Sequence, residues 1–254
     1  MPNDKANWSS PEAVAVTVPS ALVASFGPAA ESTKLTVSQT DPLRLAVAKL
    51  YCFAPGQTKP AGEATGVFIA HDVLLTAAHA LFSPADFGGG YAGQIQIWSP
   101  WYPIPPASAV SKWIVVPPAA EKQPVPPAEL DIGIIKLNGV VPSILPLIPV
   151  AASDKALNGA QLRLYGYSFH DNVLHATPAQ CKGGAPQLIY YDANVQPGDS
   201  GSPVFAAAPE GPALIGLHRA GPGEVPNDPN LAMGFRLSPA AIAWISDTLN
   251  KFGG

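Results

Sequence analysis

The apolar positions of this chain fall in short runs separated by turn residues, a pattern of strands rather than of long helices. From Thr33 onward, the first such run is Leu43–Phe53 (LRLAVAKLYCF), whose apolar and β-prone residues predict a strand. Gly66–Ile69 predicts a second strand and His71-Asp72 a turn, and Val73–Leu75 predicts a third strand that runs straight into Thr76-Ala77-Ala78-His79. Asp131 opens another apolar run, Ile132–Leu137, and Gly234–Leu237 reads as the last strand. Only at the end does the period change. Ser238-Pro239 supplies an N-cap and first-turn pair, Ile242, Ile245 and Leu249 recur at helical spacing, and Gly253 follows, so a terminal helix is predicted over 239–252, with Trp244 as a packing residue.

Two stretches stand apart from this pattern. Residues 1–32 read as an N-terminal extension or propeptide, because Asp4 and Glu12 sit where a secretion leader carries positive charge and Pro19 interrupts the apolar run Ala13–Phe26. The same stretch also fits the start left after a leader is removed, or the first residues of a cytoplasmic protein. Asn7-Trp8-Ser9 matches a glycosylation acceptor. Between Trp98 and Pro127 the chain is rich in proline and aromatic residues, which predicts loops and edge strands, since proline removes a ladder donor; stacked prolines are also the form of a polyproline ligand.

Composition narrows the class. At 254 residues and 47% hydrophobic, the chain can bury a large core in one domain or two fused barrels. Only 13% of residues are charged, while 30 are proline and 23 glycine, which disfavours helical bundles. A net charge of −4 without a basic run argues against nucleic-acid binding, and no apolar stretch is long enough to span a bilayer. Cys52 and Cys181 allow at most one bridge and are read as free and buried. His71, His170 and His175 lack metal-like neighbours and are read as surface or turn residues, and no calcium loop or cysteine–histidine set implies a cofactor.

Three places carry candidate chemistry. Gln196–Pro203 (QPGDSGSP) places glycines on both sides of Ser200, so the backbone can turn sharply and aim the N–H groups of Gly198 and Ser200 at one point, as an oxyanion requires. His79 follows small residues that let it pack closely against a cleft wall, and Asp131 leads a strand where a buried carboxylate needs a cationic partner. Each has a plainer reading when taken alone: a Gly/Ser/Pro turn, a structural histidine, an aspartate capping a strand.

Taken together and in this order, TAAH, DIGIIKL and GDSGSPVF resemble the trypsin/chymotrypsin-like serine peptidases over roughly Thr33 to the C-terminus. The resemblance implies an all-β fold of two six-stranded antiparallel β-barrels with a C-terminal α-helix. It implies one domain over 33–254, with His79 and Asp131 from a first barrel (about 33–140) and Ser200 from a second (about 141–237). It assigns Ser200 as nucleophile, His79 as base and then acid, Asp131 as the group orienting His79, and the N–H groups of Gly198 and Ser200 as the oxyanion hole. Implied, too, are a protein or peptide substrate, a monomer, and no cofactor, metal, nucleic-acid or membrane partner.

Departures from the family pattern refine this expectation. Ala80 and Ala64 stand where the family usually carries a bridged cysteine pair, a loss shared by the bacterial glutamyl endopeptidase (V8-like) branch, and Thr33–Thr36 with Pro42-Leu43-Arg44 is similar to the mature start of that branch. A processed N-terminus is then expected between Ser25 and Thr33. In trypsin-like members the aspartate equivalent to Asp199 pairs with a newly freed α-amino group, where many glutamyl endopeptidases carry a neutral amide instead, so Asp199 implies a zymogen-type activation. The strand Ile215–Gly221 is expected to line the substrate pocket together with Asn194 and Val195. In it, His218 stands where that branch binds an acidic side chain, through a donated N–H or, below neutral pH, the imidazolium charge. Val195 replaces a hydroxyl residue of the branch, and Arg219 is expected either to charge the pocket or to lie near Asp131. The function expected is a serine endopeptidase, with cleavage after Glu or Asp as the favoured specificity. The alternatives are a small or apolar specificity, esterase action on the same residues, or a catalytically silent binding protein. The family's habit is secretion or the periplasm, while the poor leader and unpaired thiols fit the cytoplasm.

Overall fold

The computed structural model describes residues 34–169, 172–209, 211–225 and 228–252. The expectations for residues 1–32, for a processed start between Ser25 and Thr33, and for His170 and Gly253 fall outside that set. Strands are β1 (Leu35–Thr36), β2 (Val47–Phe53), β3 (Pro60–Ala70), β4 (Val73–Thr76), β5 (Phe82–Ser83), β6 (Gly90–Tyr91), β7 (Gln94–Trp98), β8 (Ser111–Val115), β9 (Gly133–Leu137), β10 (Gln161–Tyr167), β11 (Leu174–Ala185), β12 (Leu188–Asp192), β13 (Pro203–Ala208), β14 (Gly211–Ala220) and β15 (Ala232–Arg236). Helices are α1 (Pro84–Phe87), α2 (Asp154–Leu157) and α3 (Pro239–Phe252).

The first apolar run does not begin as a strand. Pro42–Ala46 forms a 3-10 turn, because the Asp41 carboxylate accepts a hydrogen bond from Leu43 N (2.9 Å) and is held by the Tyr165 hydroxyl (2.6 Å), with proline fitting the first turn; β2 starts only at Val47.

The strands form an all-β body with the expected terminal helix. The larger sheet closes on itself, β11-β10-β13-β14-β15-β12 and back to β11, with β1 added on β11; Leu35–Thr36 thus joins the sheet built mostly from the second half of the chain. The other sheet runs β7-β2-β3-β4-β9-β8, and its two edges meet through the isolated bridge Gln96↔Val110 and a bond from Ile95 N to Ser111 Oγ (3.0 Å). It is a half-open barrel because the proline-rich segment between β7 and β8 cannot supply ladder donors.

Each sheet buries its own apolar face. Leu50, Phe68, Ile95 and Ile135 pack within the first, and Leu164, Ile189, Val204 and Ile215 within the second. A third cluster joins them, with Val67 and Ile134 from one side and Tyr165, Phe205 and Phe235 from the other. Helix α3 starts where Ser238 Oγ caps Ala241 N (3.2 Å) and buries Ala241 and Ile245 in that shared cluster. Its Phe252 ring meets Trp113 of β8 (5.6 Å), so the helix reaches the first sheet as well. Cys52 and Cys181 are free and buried, and burial pushes the Cys52 thiol up to about 12, which removes it as a nucleophile.

Candidate active site

Antiparallel pairing brings the first two candidate residues together. β4 and β9 pair with Thr76 opposite Gly133, so the chain three residues beyond Thr76 and two before Gly133 emerges at the same end of the sheet. Those residues are His79 and Asp131. His79 Nδ1 lies 2.8 Å from Asp131 Oδ2, and His79 N donates to Asp131 Oδ1 (2.9 Å). The preceding alanines, Ala77 and Ala78, are fully buried, so only small side chains fit where the strand turns into the 3-10 segment Ala78–Ala80.

Ser200 arrives from the other sheet. His79 Nε2 lies 2.9 Å from Ser200 Oγ, completing a hydrogen-bonded chain from Asp131 to the serine hydroxyl. The turn that presents Ser200 has Gly198 at φ 94° and Gly201 at φ 80°, a region that disfavours any side chain. It is tied to the first sheet by Thr65, a fully buried residue of β3. Thr65 Oγ1 donates to Gly198 O (3.2 Å), and Thr65 N donates to Ser200 O (2.8 Å). Within the turn, Asp199 N and Gly201 N are bonded to Gln196 O and His218 O, whereas the N–H groups of Gly198 and Ser200 have no acceptor among the described residues. Those are the two donors the sequence singles out for an oxyanion.

The buried Asp131 carboxylate has two basic partners, His79 and Arg219. Burial alone pushes the Asp131 carboxyl up; the His79 ring, the Arg219 guanidinium and the His79 backbone N–H more than offset it, so the group sits below the ordinary carboxylate range. Arg219 donates to Asp131 Oδ2 at 2.7 Å, the second of the two placements open to it from sequence. It gets there through a bulge: β14 and β15 pair His218 with Gly234 and Ala220 with Met233, leaving Arg219 as the extra residue, re-aimed toward the carboxylate. Such an arrangement gives a serine hydroxyl whose proton has an imidazole to move to, an imidazole whose second nitrogen is held, and two free donors beside the serine.

A family model described as "Trypsin-like peptidase domain" matches residues 64–217, more than half of the chain. The chain belongs to that family. No curated protein is significantly similar to it. Among solved structures, this trypsin-like chain is similar in fold to a Glu endopeptidase (18% identity, TM-score 0.63, covering 85% of this chain and 95% of that one). It is also similar to a thermostable serine protease from an extremophilic microorganism (17%, 0.58, 83% and 100%). A third is the protease Anisep from Arthrobacter nicotinovorans (16%, 0.59, 83% and 95%).

The expected pocket residues of this trypsin-like domain sit around β14. Asn194 is exposed and Val195 half-buried, and a Cβ added at Gly221 would lie 3.2 Å from Val195 Cγ2, so the apolar valine and the glycine face each other. His218 is 3% exposed, with Nδ1 2.8 Å from the Tyr191 hydroxyl. Burial, with the charges of His79 and Lys34, pushes the His218 imidazole down to about 3. This corrects one of the two expected modes: the ring stays neutral well below neutral pH, so the imidazolium mode gives way and a donated N–H remains for an acidic group. Among the described residues the Asp199 carboxylate is bonded to the side chain of Lys34 (2.6 Å), a partner that sequence alone does not signal. Of the histidines without a site role, His71 lies in the β3–β4 turn and His175 in β11.

The buried neutral imidazole sets a pH dependence of stability. His218 binds its proton more weakly in the folded chain than in the unfolded one, where its ordinary value is 6.5. The unfolded state therefore takes up more protons between about pH 6.5 and pH 3, and stability falls as pH drops through that window. Asp131 acts in the same direction at still lower pH, since its held-down carboxyl must be protonated for the chain to unfold in acid. The variant His218→Gln should shrink the loss of unfolding free energy between pH 7 and pH 4 by about 3 kcal/mol, read from urea titrations at the two pH values. An unchanged loss would mean that another group carries the acid limb.

Proposed function

We propose that the protein is a serine endopeptidase acting through an acyl-enzyme. Ser200 Oγ attacks the scissile carbonyl while His79 Nε2 takes its proton, and Asp131 and Arg219 keep the imidazole oriented. The oxyanion that forms is held by the N–H groups of Gly198 and Ser200. Collapse breaks the C–N bond as His79 returns the proton to the leaving amine; water then attacks the ester, with His79 again taking and returning a proton, and Ser200 is regenerated. These roles are the ones the trypsin-like family assigns to its three residues. The observation that carries the reading is His79 standing within hydrogen-bond distance of both Ser200 Oγ (2.9 Å) and Asp131 Oδ2 (2.8 Å).

The specificity proposed is for Glu or Asp before the cleaved bond, with a neutral His218 donating to the substrate carboxylate. A buried Tyr191 hydroxyl, kept protonated by burial, can donate to Nδ1 and leave the proton of the neutral ring on Nε2. The Glu endopeptidase fold similarity supports this reading. The apolar Val195 facing Gly221 favours a second reading, a pocket for small or apolar side chains. A peptide library cut by the protein and sequenced by mass spectrometry decides between them. Acidic residues enriched before the cut, to a degree that does not rise between pH 8 and pH 5, are expected. Enrichment of alanine or valine favours the second reading, and no cleavage of any peptide argues against the endopeptidase.

A further inference from the structure

Asp199 is a buried carboxylate, 3% exposed, inside the turn that carries both oxyanion donors. A carboxylate in that position needs a countercharge; without one it must take a proton or swing toward water, and its peptide units would move with it. The countercharge is Lys34. Its ammonium donates to Asp199 Oδ2 (2.6 Å) and to Ser168 Oγ (2.6 Å), and the same carboxylate oxygen accepts from Gln196 N (2.8 Å). Among the described residues Lys34 is the cation within ion-pair distance of Asp199.

Lys34 stands directly before the short paired strand β1. The backbone just after it is fixed by pairing of Leu35 and Thr36 with Ala176 and His175 of β11, and by Val37 N on Leu174 O (3.0 Å). Gly166 leaves the space that the buried carboxylate fills, since a Cβ there would meet Asp199 Oδ1 at 2.8 Å and Ser202 Oγ at 2.3 Å. The aspartate is thus packed against Gly166 and paired through Oδ2 with a lysine side chain of the chain itself, while its buried Oδ1 has no partner among the described residues.

We propose that Lys34 is a positioning residue whose side-chain ammonium holds the Gly198–Ser200 turn in its oxyanion-binding form in the uncut chain, in place of an α-amino group released by cleavage. The inference rests on the peptidase reading above and adds to it the means of activation: the full-length chain is competent without processing.

The test uses the full-length protein, its mass verified before and after assay. Uncut wild type should hydrolyse its peptide substrate, and Lys34→Met should lower kcat by about 10²-fold, the scale of a lost oxyanion donor, with KM nearly unchanged. Lys34→Arg, which keeps the charge, should recover most of the loss, which a mere packing role would not explain. Hydrogen exchange at the amides of Gly198–Gly201 should be faster in Lys34→Met, and not in Lys34→Arg, in protein shown by circular dichroism to be folded. Wild-type kcat and wild-type exchange in Lys34→Met would overturn the proposal. So would an uncut wild type that turns over only after the residues before Lys34 are removed. If neither cut nor uncut chain hydrolyses any peptide, it is the peptidase reading that fails, and the exchange comparison still decides whether the ammonium holds the turn.

Discussion

Ser200→Ala should lower kcat by about 10⁶-fold, the scale seen when the nucleophile is removed from a Ser-His-Asp set, and leave the unfolding free energy within about 1 kcal/mol of wild type. The substitution removes one oxygen. His79 keeps both of its bonds to Asp131, Thr65 still ties Gly198 and residue 200 by backbone atoms, and no buried apolar volume is lost because Ser200 is only half-buried. What disappears is the atom 2.9 Å from His79 Nε2, and with it the acyl-enzyme route. Parallel peptide hydrolysis and urea unfolding of the two proteins check this. Retained hydrolysis in the variant would move the nucleophile elsewhere, and loss of both activity and fold would make the result uninformative about chemistry while contradicting the packing described here.

Gly201→Ala should be the most damaging single methyl in the site. At φ 80° an L side chain already costs about 1–2 kcal/mol. The new Cβ would also lie 2.1 Å from Thr76 Oγ1, 2.3 Å from Thr65 O and 2.9 Å from Ala77 N. Two of these are backbone atoms, and Thr76 Oγ1 is itself bonded to Thr65 O (2.8 Å), so nothing there can swing aside; the turn must back away from β3 and β4. The expected cost is about 4 kcal/mol or more, a large part of the 5–15 kcal/mol by which a domain is stable. Gly223→Ala isolates the backbone-strain part: its φ is 93°, and nothing lies within 4 Å of the added carbon, so the steric part is absent. Urea midpoints should therefore order wild type, Gly223→Ala, then Gly201→Ala by a wide margin. Equal midpoints for the two variants would contradict the close approach of the turn to the first sheet.

Local signals in the sequence reach the elements that depend on local interactions. The apolar runs behind β4 and β9 and the Ser238-Pro239 start of α3 are read from adjacent residues, and each is where the pattern puts it. Once β4 and β9 pair, His79 and Asp131 meet by register alone. Long-range effects are what the sequence conceals. Thr65 carries no signal in the sequence, yet its hydroxyl bonds a carbonyl 133 residues away. Lys34 and Asp199 are 165 apart, and no spacing rule links a lysine beside a short edge strand to a buried aspartate in a turn. The placement of Arg219 follows from a bulge in β14, which exists only as a mismatch with β15. The charge state of His218 is set chiefly by burial, which a residue type does not reveal, and so of its two expected modes the imidazolium below neutral pH gives way to the N–H of a neutral ring. The half-open first barrel is a partial exception: its prolines are visible in the sequence, but which ladder they interrupt is not.

The central claim is that Asp131, His79 and Ser200 act as one unit that makes the Ser200 hydroxyl a nucleophile. Reaction of the protein with a fluorophosphonate, followed by peptide mapping of the adduct, tests it most directly. One adduct is expected, on Ser200, with its rate of formation lowered by about 10³-fold or more in His79→Ala. An adduct on another residue, or a Ser200 adduct that forms equally fast without the His79 imidazole, would contradict it.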